Sequence, residues 1–231
     1  MVSVKKGDVV FLEYVACSAK DKVVFATTIK GEAEKAGVKS RSGEYKPLLL
    51  VAGKGQVIRG LDDAIVGSEV GQKKHVLIPF ADAFGARDAA KLKLISLGEF
   101  RKRDLDPYPG MVVELDDGLQ GTVKSVEAGR VRVDFNEPLA GEDVEYDFTV
   151  VKCASDAAGK LSLMLTGWLG LDTLAYDGPS GVATVKVAAS VRKDGDLVVN
   201  KISFVSMTLQ HVEGLKKVVF EEEYSLEKEG A

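Results

Sequence analysis

Residues 8–16, D-V-V-F-L-E-Y-V-A, place Val10, Leu12 and Tyr14 at alternate positions, and this pattern predicts a strand with those three on one face. Lys20-Asp21-Lys22 reads as a turn, and Val23-Val24-Phe25 opens a second strand. Residues 30–45 are charged and glycine-bearing, with a short helix expected at Glu32 to Ala36 inside a long flap. The apolar run Leu48-Leu49-Leu50-Val51 predicts a third strand. It leads through residues 53–61, G-K-G-Q-V-I-R-G-L, into a short helix over Asp62 to Val66. Glycines at 53, 55 and 60 suit a tight, close-packed turn. Val57 and Ile58, however, put branched apolar side chains where a turn is ordinarily polar, so something apolar must meet them. Lys74 to Pro79 predicts another strand and Ala81 to Gly85 a loop.

The pattern then changes. Lys91 to Asp106 mixes basic residues with Leu92, Leu94, Ile95, Leu97, Phe100 and Leu105, and Asp106-Pro107-Tyr108-Pro109-Gly110 is a turn. Three short strands follow, M-V-V-E-L, L-Q-G-T-V-K-S-V and R-V-R-V-D-F, separated by Asp116-Asp117-Gly118 and Glu127-Ala128-Gly129 as hairpin turns should separate them. Val131, Val133 and Phe135 alternate with Arg130, Arg132 and Asp134, so this small β unit has a buried and a wet face. After N-E-P-L-A-G, residues 136–141, the stretch Val144 to Val151 is again a strand. Beyond residue 153 a helix is expected at Lys160 to Trp168 and an alternating strand at Val182 to Val191. Ile202, Val205, Leu209 and Val212 recur at helical spacing with Gly214 as the stop, and Lys216 to Tyr224 reads as a final strand.

With 231 residues, 45% hydrophobic and 29% charged, the chain is an ordinary globular sequence, long enough for one large domain or two to three small ones. A net charge of −4 discourages nucleic-acid and acidic-membrane partners, and no run of eighteen apolar residues exists to span a membrane. The first residues lack the apolar core of a signal peptide, and Cys17 and Cys153 lie far apart in apolar surroundings. Free thiols and a cytoplasmic location are the expectation. His75 and His211 form no metal-ligand spacing with the cysteines, so no metal is expected.

The glycine turn matches neither phosphate-loop spacing, G-x-x-x-x-G-K-[ST] or G-x-G-x-x-G. Together with Lys46-Pro47 upstream, Glu69-Val70-Gly71-Gln72-Lys73 downstream and Ile78-Pro79-Phe80-Ala81-Asp82-Ala83-Phe84-Gly85, it resembles the FKBP-type peptidyl-prolyl isomerases. Asn136 to Gly141 resembles the return from an inserted flap domain in the SlyD-like branch, and the likeness covers residues 1 to about 153. Residues 154–231 look like the extra domain of the long archaeal forms, and the histidine-rich tail of bacterial SlyD is absent.

The resemblance implies an α+β fold: an antiparallel half-barrel wrapped on a short helix (1–86 plus 138–153), an inserted small β domain (87–137) and a C-terminal α+β domain (154–231). It implies proline isomerisation without a cofactor, in an apolar cradle of Tyr14, Phe25, Leu48, Val57, Ile58, Leu61, Phe84 and Tyr146, with the Ile58 amide as donor to a substrate carbonyl. Ala26 stands where an Asp is usual, Leu61 where many members have Trp, and Phe84 where a Tyr is typical, so slower turnover is expected. The inserted domain is expected to hold unfolded, proline-containing clients through Leu94, Ile95, Leu97, Phe100 and Met111, residues that serve equally as its own small core. The C-terminal domain, with Leu163, Trp168 and Leu171, is expected to form a homodimer. The alternative is a holding chaperone whose isomerase pocket is weak or vestigial. A ribosome- or RNA-binding adaptor rests only on a loose likeness of the small β unit to barrels of some translation factors, and the acidic balance opposes it.

Overall fold

The computed structural model describes residues 2–40, 43–114, 118–187 and 195–222. In chain order come β1 (Val9–Ser18), β2 (Val24–Thr27), α1 (Lys30–Ala36), β3 (Leu48–Val51), α2 (Arg59–Ile65) and β4 (Lys73–Ile78). The chain then leaves for β5 (Leu92–Ser96), α3 (Leu97–Arg101), β6 (Val112–Glu114), β7 (Gln120–Glu127) and β8 (Arg130–Asp134), and returns as β9 (Val144–Ala154). Then come α4 (Ala157–Leu169), β10 (Leu174–Asp177), β11 (Val182–Lys186), α5 (Leu197–His211) and β12 (Lys217–Glu221).

β1 is the central strand. Its whole length pairs antiparallel with β9, from Val9 opposite Ala154 to Ser18 opposite Val144. On its other edge β3 pairs with Val9–Leu12 and β2 with Val15–Cys17, and β4 lies beyond β9. The two faces of β1 feed different cores. Val10, Leu12 and Ala16 join Leu50, Leu61, Ile65, Ile78, Tyr146 and Phe148 around α2. Val9, with Leu49 and Val51 of β3, packs instead under α4, in a cluster with Leu161, Met164, Leu165 and Phe204. Strand alternation allows both. A Cβ on Gly167 would lie 2.6 Å from Leu49, which is how closely α4 approaches the sheet.

The insertion is a four-stranded antiparallel sheet in the order β5-β8-β7-β6, with Val113, Val123, Val131, Val133, Phe135 and Phe100 as its core. The C-terminal segment adds a three-stranded sheet, β10-β11-β12, whose β11 and β12 are parallel. A parallel pair needs a crossover, and α5 supplies it. The mixed α+β class expected from the sequence is the one observed.

Several local expectations need correction. The stretch read as a basic–apolar mixture contains β5 and α3, and β10 was not anticipated. Ile202 and Leu209, expected on the buried stripe of α5, face solvent; Leu197, Phe204 and Thr208 are buried there instead. Thr208 is tolerated in that core because its hydroxyl donates to the Phe204 carbonyl at 2.8 Å. Asp116 and Asp117, Leu115, and the outer ends of the strands expected to reach Val191 and Tyr224 lie outside the described residues.

Candidate active site

The glycine turn between β3 and α2 is built around one buried carboxylate. Asp62, 6% exposed, accepts the Gly53 and Gly55 amides on its two oxygens, each at 2.7 Å. Gln56 Oε1 accepts the Val51 amide at 2.7 Å, which ties the turn back to β3. Gly55 has φ +69°, a left-handed conformation that favours glycine. Gly60 is required for a different reason: a Cβ there would meet the Ile78 side chain at 2.4 Å. The turn therefore sits hard against β4, and α2 starts at Arg59 rather than at Asp62.

Ile58 is the residue before that helix, in extended backbone with φ −55° and ψ 145°. Its carbonyl accepts the Leu61 and Asp62 amides, both at 3.0 Å, while its own N–H has no acceptor among the described residues. An unsatisfied, half-buried donor at the rim of an apolar surface is what a substrate carbonyl can use.

The structure brings together the eight cradle residues expected from the sequence. Leu61 and Tyr146 are buried in the core around α2, and Tyr14, Phe25, Leu48, Val57, Ile58 and Phe84 pack against it half-buried. Phe25 meets Phe84 edge-on at 5.9 Å and Tyr146 at 6.1 Å, and Tyr14 lies 5.6 Å from Tyr146, within the range favoured by aromatic pairs. Ala26 borders the same cluster. Burial raises the pKa of both tyrosines, and for Tyr146 the neighbouring Tyr14 adds to it. The loop bearing Phe84 is tied down at Phe80, whose amide donates to Asp143 at 2.8 Å, and by Arg59–Asp82, an exposed ion pair of 3.0 Å.

In the insertion, Leu94, Ile95 and Phe100 line a groove of about 470 Å³ together with Leu105 and Val113. Lys93, Arg103, Glu99 and Glu114 ring it with both signs of charge. Leu94 is 57% exposed, whereas Phe100 is mostly core. Leu97 and Met111 pack against the core of this unit outside the groove. Exposed Tyr108 and Val112 add apolar surface nearby in the chain.

The sequence reading missed Asp62 and the junction of the two units. Asp134, 4% exposed, pairs with Arg87 and accepts the Asn136 side-chain amide at 2.8 Å. Asn136 also takes the Asp88 amide at 2.8 Å and donates to the Asp88 carbonyl at 2.9 Å, pinning the outgoing and returning chains together. An acidic residue in the first turn of a helix that follows glycines was the available signal for Asp62. Among the described residues no group of His, Cys, Asp and Glu is placed to hold a metal, and no helix is long and apolar enough to cross a membrane. Cys17 and Cys153 are free. Burial and Asp8 push the Cys153 thiol up to about 11.

Residues 2–97 match the family model described as FKBP-type peptidyl-prolyl cis-trans isomerase, and residues 93–139 match one described as the FKBP26 IF domain. The chain is 32% identical over 147 residues to the short-type peptidyl-prolyl cis-trans isomerase of Methanocaldococcus jannaschii, covering 64% of this chain and 92% of that one. It is 30% identical over 111 residues to the FKBP-type 16 kDa peptidyl-prolyl cis-trans isomerase of Escherichia coli, covering 46% and 74%. With the FKBP-type isomerase SlyD of Helicobacter pylori it shares 27% over 108 residues, 46% of this chain and 58% of the relative.

Proposed function

We infer, for a chain that belongs to the FKBP-type peptidyl-prolyl cis-trans isomerase family, a folding enzyme that isomerises X-Pro bonds of unfolded proteins while a separate surface holds the client. Isomerase activity follows from the family; the pocket, the holding surface and the assembly are our reading. Rotation about the imide breaks no bond, and its barrier of about 18–20 kcal/mol is lost amide resonance. The twisted transition state has a less dipolar carbonyl than the planar imide, so an apolar site favours it relative to water. The cradle of Tyr14, Phe25, Leu48, Val57, Ile58, Leu61, Phe84 and Tyr146 supplies that site, and no nucleophile, acid–base pair or cofactor is called for. The observation that carries the reading is the Ile58 N–H at the edge of this surface, which has no acceptor among the described residues and can fix the substrate carbonyl while the remainder turns.

We take residues 1–86 with 138–153 as the isomerase unit, 87–137 as a client-holding unit and 154–231 as an assembly unit, in a cytoplasmic protein. The groove beside Leu94 supports the second assignment. For the third, Leu163 and Trp168 are half-buried against the core and Leu171 is buried, so the apolar surface left for a second copy is on α5: Val198, Val199, Ile202 and Leu209. A holding chaperone with a weak pocket is the competing reading, favoured by the same groove and by Ala26 and Phe84. A protease-coupled assay on a short X-Pro peptide, run with the whole chain and with 87–137 replaced by a short loop, separates them. Comparable turnover by both proteins supports the isomerase reading, and no turnover by either leaves only the holding one.

A further inference from the structure

All but two of the cradle's side chains are wholly apolar. The exceptions, Tyr14 and Tyr146, sit ring to ring at 5.6 Å, and neither hydroxyl has a hydrogen-bond partner among the described residues. Trp168 Nε1 is the only buried side-chain nitrogen or oxygen there without a partner. Both phenol oxygens therefore reach accessible surface, although Tyr146 as a whole is 6% exposed. The sheet register shows what lies beside it. Tyr146 stands between Ala16 on β1 and Val76 on β4, with Ala26 of β2 beyond Ala16, so its cross-strand neighbours are small or aliphatic and carry no polar group. With both pKa values raised by burial, the phenols remain protonated donors well into the alkaline range.

A hydroxyl that is wet in the free protein loses that water when a ligand covers the cradle, and an uncompensated loss is costly. A peptide can compensate with its backbone carbonyls, of which the Ile58 amide takes one. We propose that the Tyr146 hydroxyl, with Tyr14 beside it, donates a hydrogen bond to a second backbone carbonyl of the bound proline peptide and so sets the direction in which the peptide lies. This rests on the isomerase reading of the cradle. The second carbonyl is not part of the rotating imide, so the contact is equal in planar and twisted states and appears in KM rather than kcat.

Tyr146→Phe removes the hydroxyl and keeps the ring contacts. Steady-state assays on one short X-Pro peptide should show KM raised about two- to tenfold with kcat changed less than about twofold. Tyr14→Phe should move KM in the same direction, and neither should shift the melting temperature. If Tyr146→Phe melts lower, calorimetric peptide binding below its melting range is read the same way. An unchanged KM and peptide affinity in both variants, or a fall in kcat at constant KM, overturns the proposal alone. No turnover by the unaltered chain overturns the isomerase reading, and this proposal with it.

Discussion

Phe84 packs edge-on against Phe25 in the cradle and offers no donor where the family resemblance implies a tyrosine. Phe84→Tyr is expected to raise kcat/KM on a short peptide. A transition-state hydrogen bond is worth about 0.5–1.5 kcal/mol, or about two- to tenfold in rate. A well-folded variant with unchanged kcat/KM would show the departure to be neutral. Isolated residues were legible in the sequence only in combination. Phe25, Leu48, Leu61 and Tyr146 are core types in any sheet-plus-helix fold. Val57 and Ile58 stood out because an apolar pair interrupts a glycine turn. Asp62 did not stand out, because one carboxylate in a short helix looks like solvated surface until its two amide partners are seen.

At the scale of elements, the turn before α2 is held as a unit. Asp62→Ala removes the acceptor of two amides, and hydrogen bonds to a charged group contribute about 1.5–3 kcal/mol each. A loss of roughly 3–6 kcal/mol in urea unfolding is expected, together with reduced peptide turnover. Asp62→Asn should recover part of the stability. The other side of this turn touches α5: Gln56 Nε2 lies 3.3 Å from Met207 Sδ, and His211 feels Lys54. Burial first, then Lys54 and Lys160, lowers the His211 pKa below its ordinary value. Above pH 7 both folded and unfolded forms are neutral there. As pH falls through about 6.5 the unfolded chain takes up the proton first, so stability declines until the lowered folded value is passed. The melting temperature should fall more between pH 7 and 5 in the unaltered chain than in His211→Gln. β5 and α5 were harder to read than the turn. Leu92, Leu94, Ile202 and Leu209 are apolar yet exposed, so hydrophobicity pointed inward where the side chains point out.

At the scale of the molecule, the groove beside Leu94 and the exposed apolar residues of α5 lie outside the cradle, and each can be tested without disturbing it. Replacing 87–137 by a short loop should leave peptide isomerisation nearly unchanged and sharply reduce catalysis of a proline-limited refolding reaction. A holding surface raises the local concentration of client prolines, commonly into the millimolar range. Equal refolding catalysis by both proteins would remove the role assigned to the groove. For assembly, Ile202→Glu, at a position 65% exposed, should convert a dimer to a monomer in light scattering with no change in melting of the monomer. A monomeric mass for the unaltered chain would refute the assembly. Truncation after residue 153 would be a poor substitute, because it uncovers Leu49, Val9 and Val51 beneath α4. That shared core was not legible in the sequence, which presents the first strand as having one inward face of Val10, Leu12 and Tyr14. The outline of sheet, insertion and return was legible because N-E-P-L-A-G and the glycine turn are local signals. Which face of β1 meets α4 is a long-range fact.

The pairing of β1 with β9 also bears on how the protein is made. Val9 cannot meet Ala154 until about 145 further residues have been synthesised, which at about 5–20 residues per second takes roughly 7–30 s on the ribosome. Throughout that interval one edge of the central strand has no partner, and α4, which must cover Val9 and Val51, has yet to emerge. The insertion, by contrast, closes its sheet entirely from residues 92–134 and can finish while the chain is still growing. The insertion can thus be complete while the cluster around α2 still waits for Tyr146 to be translated.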